Sequence, residues 1–263
     1  PGLIRRKGWV KLHKLSLKDK PLFEKYLKLD THELSVYAFQ NIFIWKELFD
    51  IEWQLIDGCL CVFFKDKIGC FLYLEPLGKK TPEAINKVFA LMDSFNKNKE
   101  VSRIENITEA SLSFYRDLGG YRIRQKPPEY LCSRKEMVDL RGDKFKSKRA
   151  SYNGFVKHYS FECLPFSARH IEECKKLYSR WMRERKNHND DPLYQGMLED
   201  SRVSLIQALD HFASLKLDGL VVKVDNKTRA FTLGYPLNEK IFCILYEIAD
   251  LSVRGLSQFI FRE

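Results

Sequence analysis

Residues 215–235 read LKLDGLVVKVDNKTRAFTLGY, and this stretch decides the class of fold. Two apolar, β-branched runs at 215–224 and 228–235 flank Asp225 and Asn226, a pair that favours a tight turn. A third run, KIFCILYEI at 240–248, follows after a short connection. The pattern predicts a β-hairpin followed by a third strand, which is the most deeply buried of the three.

The first half of the chain repeats this pattern. Asp57 and Gly58 separate two strand-like runs, 51–56 and 59–65, and a further turn leads into a third run at 68–74. A strand is also expected at 101–107, and an irregular strand at 122–132. Spacing of apolar residues predicts the helices, which are expected at 21–28, 81–95, 108–118, 143–159, 167–185, 196–212 and after residue 255. Helices with mostly antiparallel strands predict an α+β protein with two domains, 1–134 and 135–263, and we expect the second to be truncated at its C-terminal end.

Charge and composition limit the partners. The formal net charge is +10, from 45 Lys and Arg against 35 Asp and Glu. Such an excess favours a partner that carries phosphate, or an anionic lipid surface. A generally lysine-rich composition gives the same excess without any functional meaning.

The cysteines indicate the compartment. Most of the seven lie inside apolar runs, without a C-x-x-C pair or metal-ligand spacing. They are typical of small buried side chains in a reducing environment, so we expect a cytoplasmic protein without a metal site.

No apolar run approaches the roughly 18 residues of a membrane-spanning helix. The chain starts at Pro1 and breaks off within an amphipathic pattern, so we expect natural sequence to be missing at both ends.

A basic, aromatic block lies near the middle of the chain. Residues 140–159 read LRGDKFKSKRASYNGFVKHY, with six basic residues between Arg141 and Lys157, one acid, and the rings of Tyr152, Phe155 and Tyr159. Basic side chains that alternate with aromatic rings suit a polyanion, because the charges meet phosphates and the rings offer stacking surfaces. A solvated basic helix produces the same pattern.

Residues 253–256 follow the third strand of the second half and precede a helix. A hairpin, a strand, a loop with Arg254 and Gly255, and then a helix match the central part of acyltransferases of the N-acetyltransferase superfamily. Free backbone N–H groups at such a helix start favour phosphate. The usual run of several glycines is missing here.

Four stretches together resemble the DUF2156 family, which is similar to the soluble C-terminal domain of phosphatidylglycerol lysyltransferase. They are SVYAFQN at 35–41 with Trp45; Leu140, Gly142, Lys144, Lys148 and Arg149 followed by Asn153, Phe155 and Lys157; AFTLG at 230–234; and YEIAD at 246–250 with Gly255. Ile248 stands where the family usually has Lys. The family's later motif lies beyond Glu263, and its membrane-spanning half is absent from this chain.

The resemblance implies a function. It implies two tandem N-acetyltransferase-like (GNAT) domains that move an aminoacyl group, from an aminoacyl-tRNA, to an amine or hydroxyl of a lipid or small molecule. The residues predicted to bind substrate or phosphate are Lys144, Lys148, Arg149, Asn153, Arg254 and Gly255. Two other functions stay open, an acyl-CoA-dependent N-acyltransferase and a non-catalytic binding module that keeps the fold.

Glu247 is the predicted general base. It is a lone carboxylate near the end of the buried third strand, where burial raises the pKa of an acid toward neutrality. Aminoacyl transfer from an ester needs an oriented acceptor and a group that accepts its proton. The alternative is a carboxylate paired with Arg or Lys between the domains.

Overall fold

A computed structural model describes residues 11–263, which form two compact units. One unit ends at Lys126 and the other runs from Pro127 to Glu263. Each unit has a four-stranded antiparallel sheet and its own apolar core. The predicted α+β class is therefore confirmed. The predicted boundary after residue 134 lies inside the second unit.

The described part of the first unit has four strands and four α-helices. In chain order they are β1 (His13–Lys14), α1 (Lys20–Leu27), α2 (Phe39–Phe43), β2 (Asp50–Ile56), β3 (Cys59–Lys65), β4 (Cys70–Leu72), α3 (Pro82–Phe95) and α4 (Leu112–Leu118). The sheet order is β1-β2-β3-β4, antiparallel throughout. The predicted turn at Asp57 and Gly58 is confirmed: it joins β2 to β3 with positive φ of 49° and 82°, as a primed hairpin turn requires.

The core of the first unit lies between its sheet and α3. Thr81 caps α3, because its hydroxyl accepts a hydrogen bond of 3.2 Å from the backbone N–H of Ala84. Pro82 takes the first helical position, and the buried residues of α3 face the sheet. They are Ala84, Ile85, Val88, Leu91 and Met92. Phe95, the last residue of α3, is 48% exposed, although its spacing of three residues from Met92 predicts an inward side chain.

Two strand predictions for the first half are wrong. Residues 101–107 contribute an isolated parallel bridge from Ile104 to Leu72 rather than a strand. Residues 122–132, predicted as an irregular strand, form no regular element and are exposed. Pro127 and Pro128 explain part of this, because proline has no N–H to donate to a neighbouring strand.

The second unit has four strands and six α-helices. They are α5 (Arg134–Asp139), α6 (Lys146–His158), β5 (Phe161–Pro165), α7 (Ile171–Asn187), α8 (Pro192–Asp210), α9 (Phe212–Leu215), β6 (Asp218–Val224), β7 (Lys227–Pro236), β8 (Phe242–Ala249) and α10 (Leu256–Arg262). The sheet order is β5-β6-β7-β8, again antiparallel throughout. The predicted hairpin turn is confirmed, with φ of 50° at Asp225 and 59° at Asn226.

Helices cover both faces of the second sheet. Ala230 and Ala249, paired across β7 and β8, share a core cluster with Phe155 of α6 and Leu256 of α10. Residues of the opposite parity face α7 and α8. The hydroxyl of Tyr246, for example, donates a hydrogen bond of 2.7 Å to that of Ser204 in α8. This arrangement gives a three-layer unit with β8 at one edge of its sheet. The prediction that the third strand is the most deeply buried is therefore wrong, because β7 lies inside the sheet and has the larger buried share.

The two units share an order of elements. In each, a strand is followed by helices, three antiparallel strands and a helix that packs on the sheet, counting from β1 in the first unit and from β5 in the second. This order agrees with the repeated plan expected from the sequence. That both units are N-acetyltransferase-like stays a prediction.

Several boundaries in the second half differ from the prediction. Asp191 starts α8 at Pro192, four residues before the predicted start, because its carboxylate accepts a hydrogen bond of 3.0 Å from the N–H of Leu193. The sequence pattern did not predict α5. Five of the seven cysteines are buried, but Cys132 and Cys163 are exposed.

Candidate functional site

Glu247 lies near the end of the edge strand β8. It pairs across the sheet with Thr232 of β7, which pairs in turn with Leu220 of β6. Between Leu233 and Gly234 the register shifts, so that Leu245 has no partner on β7. Such a bulge bends the strand and re-aims the side chains beside it, and bulges are common next to active sites.

The face of the sheet that carries Glu247 is apolar and partly open. Ala249, two residues further along β8, belongs to the core beneath α6 and α10. In the other direction, the ring of Phe242 lies over Gly234, where a Cβ atom would come within 2.4 Å of it. Phe242 is 54% exposed. The carboxylate therefore stands between the closed core and an exposed aromatic ring.

The Glu247 carboxylate has no charge partner among residues 11–263. It is half-buried, and no hydrogen bond or ion pair from the described residues reaches it. Burial raises its pKa to about 7, from the ordinary 4.5. The alternative of a structural ion pair thus finds no support in the described part of the chain. A carboxylate with this pKa exchanges protons readily near neutral pH.

Asp250, three residues away, is in the opposite electrostatic state. It is 5% exposed; its carboxylate accepts a hydrogen bond of 2.7 Å from Arg229 and forms an ion pair of 3.2 Å with Arg180. Ser252 adds hydrogen bonds from its N–H and its hydroxyl, at 3.0 and 2.6 Å. Burial opposes ionisation, but the bonds from Ser252 and Arg229 outweigh it and lower the pKa of Asp250. The environment thus separates the pKa values of two nearby carboxyl groups, as in many acid–base sites.

The loop from Asp250 to Gly255 turns tightly into α10. Gly255 has a φ of +83°, and a Cβ atom there would lie 2.3 Å from the carbonyl oxygen of Ser151 in α6. Glycine is therefore required for backbone contact between α10 and α6. The helix that follows has seven residues, and Arg254 is exposed without an ion pair in the described residues. Phosphate binding by Arg254 and Gly255 stays a prediction.

The three residues of the basic block that were predicted to bind phosphate differ in their contacts. Lys144 forms an ion pair of 2.6 Å with Glu136. Arg149 donates to the backbone carbonyls of Leu140 and Gly142, and so fastens the loop between α5 and α6. Lys148 is exposed, with its ammonium 5.9 Å from the centre of the Phe145 ring. Two of the three predicted phosphate ligands therefore already have protein partners.

Asn153 is exposed on α6, on the side that faces away from the core. The aromatic rings of the block face the other way. Phe155 is fully buried, and Tyr152 stacks on Phe259 with ring centres 5.5 Å apart. The expectation that these rings offer stacking surface to a nucleic acid is wrong for Phe155 and is weakened for Tyr152. Helix periodicity explains the difference, because rings three residues apart share the inward face.

Packing brings some predicted residues together. Because α10 packs on α6, Gly255 lies against Ser151, one turn from the predicted Lys148. Arg180 and Arg229, which hold Asp250, were not predicted as site residues. The sequence offered a signal for Arg180 alone, since it is one of several basic residues spaced three or four apart on a helix.

Two further observations concern metals and membranes. Among residues 11–263, no group of three or more His, Cys, Asp or Glu side chains is arranged to hold a metal ion. No helix within the same residues has the length and apolar character needed to cross a bilayer.

These features define an α+β protein with two antiparallel four-stranded sheets and a half-buried, unpaired carboxylate on the second. The chain belongs to the family described as phosphatidylglycerol lysyltransferase, C-terminal, whose model matches residues 29–263. No curated protein sequence is significantly similar to this chain.

Solved structures with similar folds agree with this family. A conserved protein of unknown function from Bacteroides thetaiotaomicron is 23% identical with a TM-score of 0.82, over 97% of this chain and 86% of that one. L-PGS from Bacillus licheniformis is 17% identical with a TM-score of 0.56, over 95% and 73%. The C-terminal domain (DUF2156) of a putative lysylphosphatidylglycerol synthetase from Agrobacterium fabrum is 14% identical with a TM-score of 0.58, over 94% and 73%. These structures and the family match confirm the resemblance to DUF2156.

Proposed function

We propose that this chain transfers an aminoacyl group from an aminoacyl-tRNA to an amine or hydroxyl acceptor, with Glu247 as the general base. The observation that carries the proposal is the state of Glu247, a half-buried carboxylate with a pKa of about 7 and no partner among residues 11–263. The family supports the class of reaction, since its description names a lysyltransferase.

The proposed reaction needs one proton acceptor. The acceptor's nitrogen or oxygen attacks the carbonyl carbon of the aminoacyl ester, and its proton passes to the Glu247 carboxylate. The bond from that carbon to the ribose oxygen of the tRNA then breaks, and the leaving oxygen takes up a proton. A base with a pKa near the working pH is best suited to this exchange.

The surroundings of Glu247 favour an acceptor with an apolar part. The exposed ring of Phe242 lies on the same face of the sheet, and Leu220 continues that face across β6. Lys148, Asn153 and Arg254 are exposed in the same unit without ion pairs in the described residues, so they are free to meet donor phosphates. An aminoacyl-tRNA donor places the reaction in the cytoplasm.

A donor assay tests the proposal. The protein is incubated with a panel of labelled aminoacyl-tRNAs or with labelled acyl-CoA, and label is followed into lipid and small-molecule extracts. We expect wild-type protein to move label from at least one aminoacyl-tRNA, the Glu247→Gln variant to lose this activity, and the exposed control Glu239→Gln to keep it. Consumption of acyl-CoA alone would establish the alternative transferase. Consumption of neither donor would establish a non-catalytic module.

A further inference from the structure

The long helix α7 presents an outward stripe of positive charge. Its exposed positions are all polar, namely Glu172, Glu173, Lys176, Ser179, Arg180, Arg183, Arg185 and Asn187. Lys176, Arg180 and Arg183 are four and three residues apart, so they lie on one side of the helix. They span about 10 Å along the helix axis, at 1.5 Å per residue. These three residues are called the α7 stripe below.

The acidic residues near the α7 stripe are mostly engaged elsewhere. Glu172 pairs with Lys175 at 3.1 Å, and Glu173 pairs with Lys223 at 3.3 Å. Lys176 and Arg183 form no ion pair with any residue of 11–263. Glu184, one turn beyond Arg180, is the nearest acid along the helix and offsets one charge. A positive excess therefore remains on the outer side of α7.

The structure holds the middle residue of the stripe in place. Arg180 reaches Asp250 through one guanidinium nitrogen at 3.2 Å, while its side chain stays 47% exposed. Asp250 is also bound by Arg229, so this carboxylate carries two cations. A guanidinium has five N–H donors, and a single contact leaves most of them available. Asp250 thus acts as a positioning residue for Arg180.

The types of side chain exposed on α7 indicate the kind of partner that it binds. Trp181 is partly buried, and the guanidinium of Arg185 lies over its ring, 5.2 Å from the ring centre. With no exposed ring on α7, the stripe has no platform for unpaired bases. With no exposed apolar residue, it has nothing to insert into a bilayer. We propose that the α7 stripe binds the phosphate backbone of an RNA duplex, the helical part of the donor tRNA.

This inference rests on the proposed function for the identity of the RNA. It adds that the duplex contacts α7, while the basic block of α6 is a separate surface. Asp250 connects the α7 stripe with the proposed catalytic residue, because it holds Arg180 and lies three residues beyond Glu247 on the chain. The position of Arg180, and with it the binding of the duplex, therefore depends on the end of β8.

The test compares two double variants of the whole protein. Lys176→Ala with Arg183→Ala removes two stripe charges and leaves Arg180 on Asp250. Lys25→Ala with Lys97→Ala removes two exposed charges from the first unit, neither of which forms a described ion pair. Binding is measured to an RNA duplex of about 16 base pairs, to single-stranded RNA of equal length, and to vesicles of phosphatidylglycerol and phosphatidylcholine, over a series of salt concentrations.

We expect the stripe variant to bind the duplex at least tenfold more weakly than the control variant. The slope of log affinity against log salt should fall by about two, one for each lost phosphate contact. Single strands and vesicles should bind both variants alike. Equal duplex binding by both variants would overturn the proposal. If the stripe variant lost as much affinity for vesicles as for the duplex, the stripe would instead be a surface that binds lipid. Because the RNA probe carries no amino acid, the outcome does not depend on aminoacyl transfer.

Discussion

At the scale of single residues, the environment within the second unit shifts the pKa values of two carboxyl groups in opposite directions. Glu247 is half-buried beside apolar side chains, so the cost of burying its charge is not offset. Asp250 is more deeply buried, yet two guanidinium groups and Ser252 stabilise its charged form. The sequence places these residues three apart and does not show the difference, because Arg180 and Arg229 come from distant parts of the chain.

The raised pKa of Glu247 has a consequence for stability. In the unfolded chain this carboxyl ionises near pH 4.5 and in the folded protein near pH 7. Between these values the folded state binds more protons, so stability falls as pH rises, and above pH 7 the loss is complete. Glutamine does not titrate. The Glu247→Gln variant should therefore gain stability relative to wild type from pH 4.5 to 7, by about 1–2 kcal/mol after solvent screening.

Thermal unfolding across this pH range measures the effect. The exposed Glu239→Gln variant is the control and should keep a constant difference from wild type. A constant difference for Glu247→Gln as well would mean that its carboxyl titrates normally in the folded protein.

Gly255 should tolerate no side chain. Alanine there combines a left-handed backbone with a Cβ atom 2.3 Å from the Ser151 carbonyl oxygen, and we expect a cost of about 2–4 kcal/mol. Gly154, on the same α6, has a helical backbone and open space where a Cβ atom would lie. Gly154→Ala should stabilise the helix by about 1 kcal/mol. Urea unfolding of both variants decides the matter, and similar values for the two would contradict this account of Gly255.

At the scale of elements, the charge pattern of α6 predicted a helix but did not predict the contacts of its side chains. The pattern correctly predicted a helix, which runs from Lys146 to His158 after a short 3-10 turn. It did not predict that Arg149 would fold back onto the preceding loop. That contact depends on Leu140 having a left-handed backbone, with φ of 48°, which leaves its carbonyl for Arg149. A leucine in this conformation gives no sequence signal.

Arg149 and Lys148 should therefore differ on substitution. Arg149→Ala removes hydrogen bonds to two backbone carbonyls and should cost about 1–2 kcal/mol in the free energy of unfolding. Lys148→Ala should change stability by no more than about 0.5 kcal/mol, since its ammonium is exposed. Chemical unfolding of the two variants measures both. Equal stability of the two would return Arg149 to the surface role predicted from the sequence.

At the scale of the whole molecule, hydrophobic patterning predicted most of the architecture. Both hairpins were predictable because the pairs Asp57-Gly58 and Asp225-Asn226 strongly favour tight turns. The bulges at Arg229 and Leu245 were not, because the register shifts that leave them unpaired depend on packing between strands. Those bulges shape the candidate site, so the fold was more predictable than the site.

The exposed stretch 121–133 should be the first place where protease cuts the native chain. It has no regular structure, and Arg122 and Arg124 are exposed within it. Brief trypsin treatment should cleave after these residues and leave two fragments that stay folded, each with its own sheet and core. Mass spectrometry identifies the cuts, and circular dichroism the remaining structure. Early cleavage inside α7 or α3, or loss of structure on cleavage, would contradict two independently stable units.

We propose that Glu247 is the base of an aminoacyl transfer. The most direct test of this proposal is the pH dependence of transfer under single-turnover conditions, with the active aminoacyl-tRNA as donor. We expect the wild-type rate to rise about tenfold per pH unit below a midpoint near 7 and then to level off. Glu247→Gln should be slower at every pH and lose this dependence. A variant with wild-type rates and an unchanged midpoint would contradict the assignment.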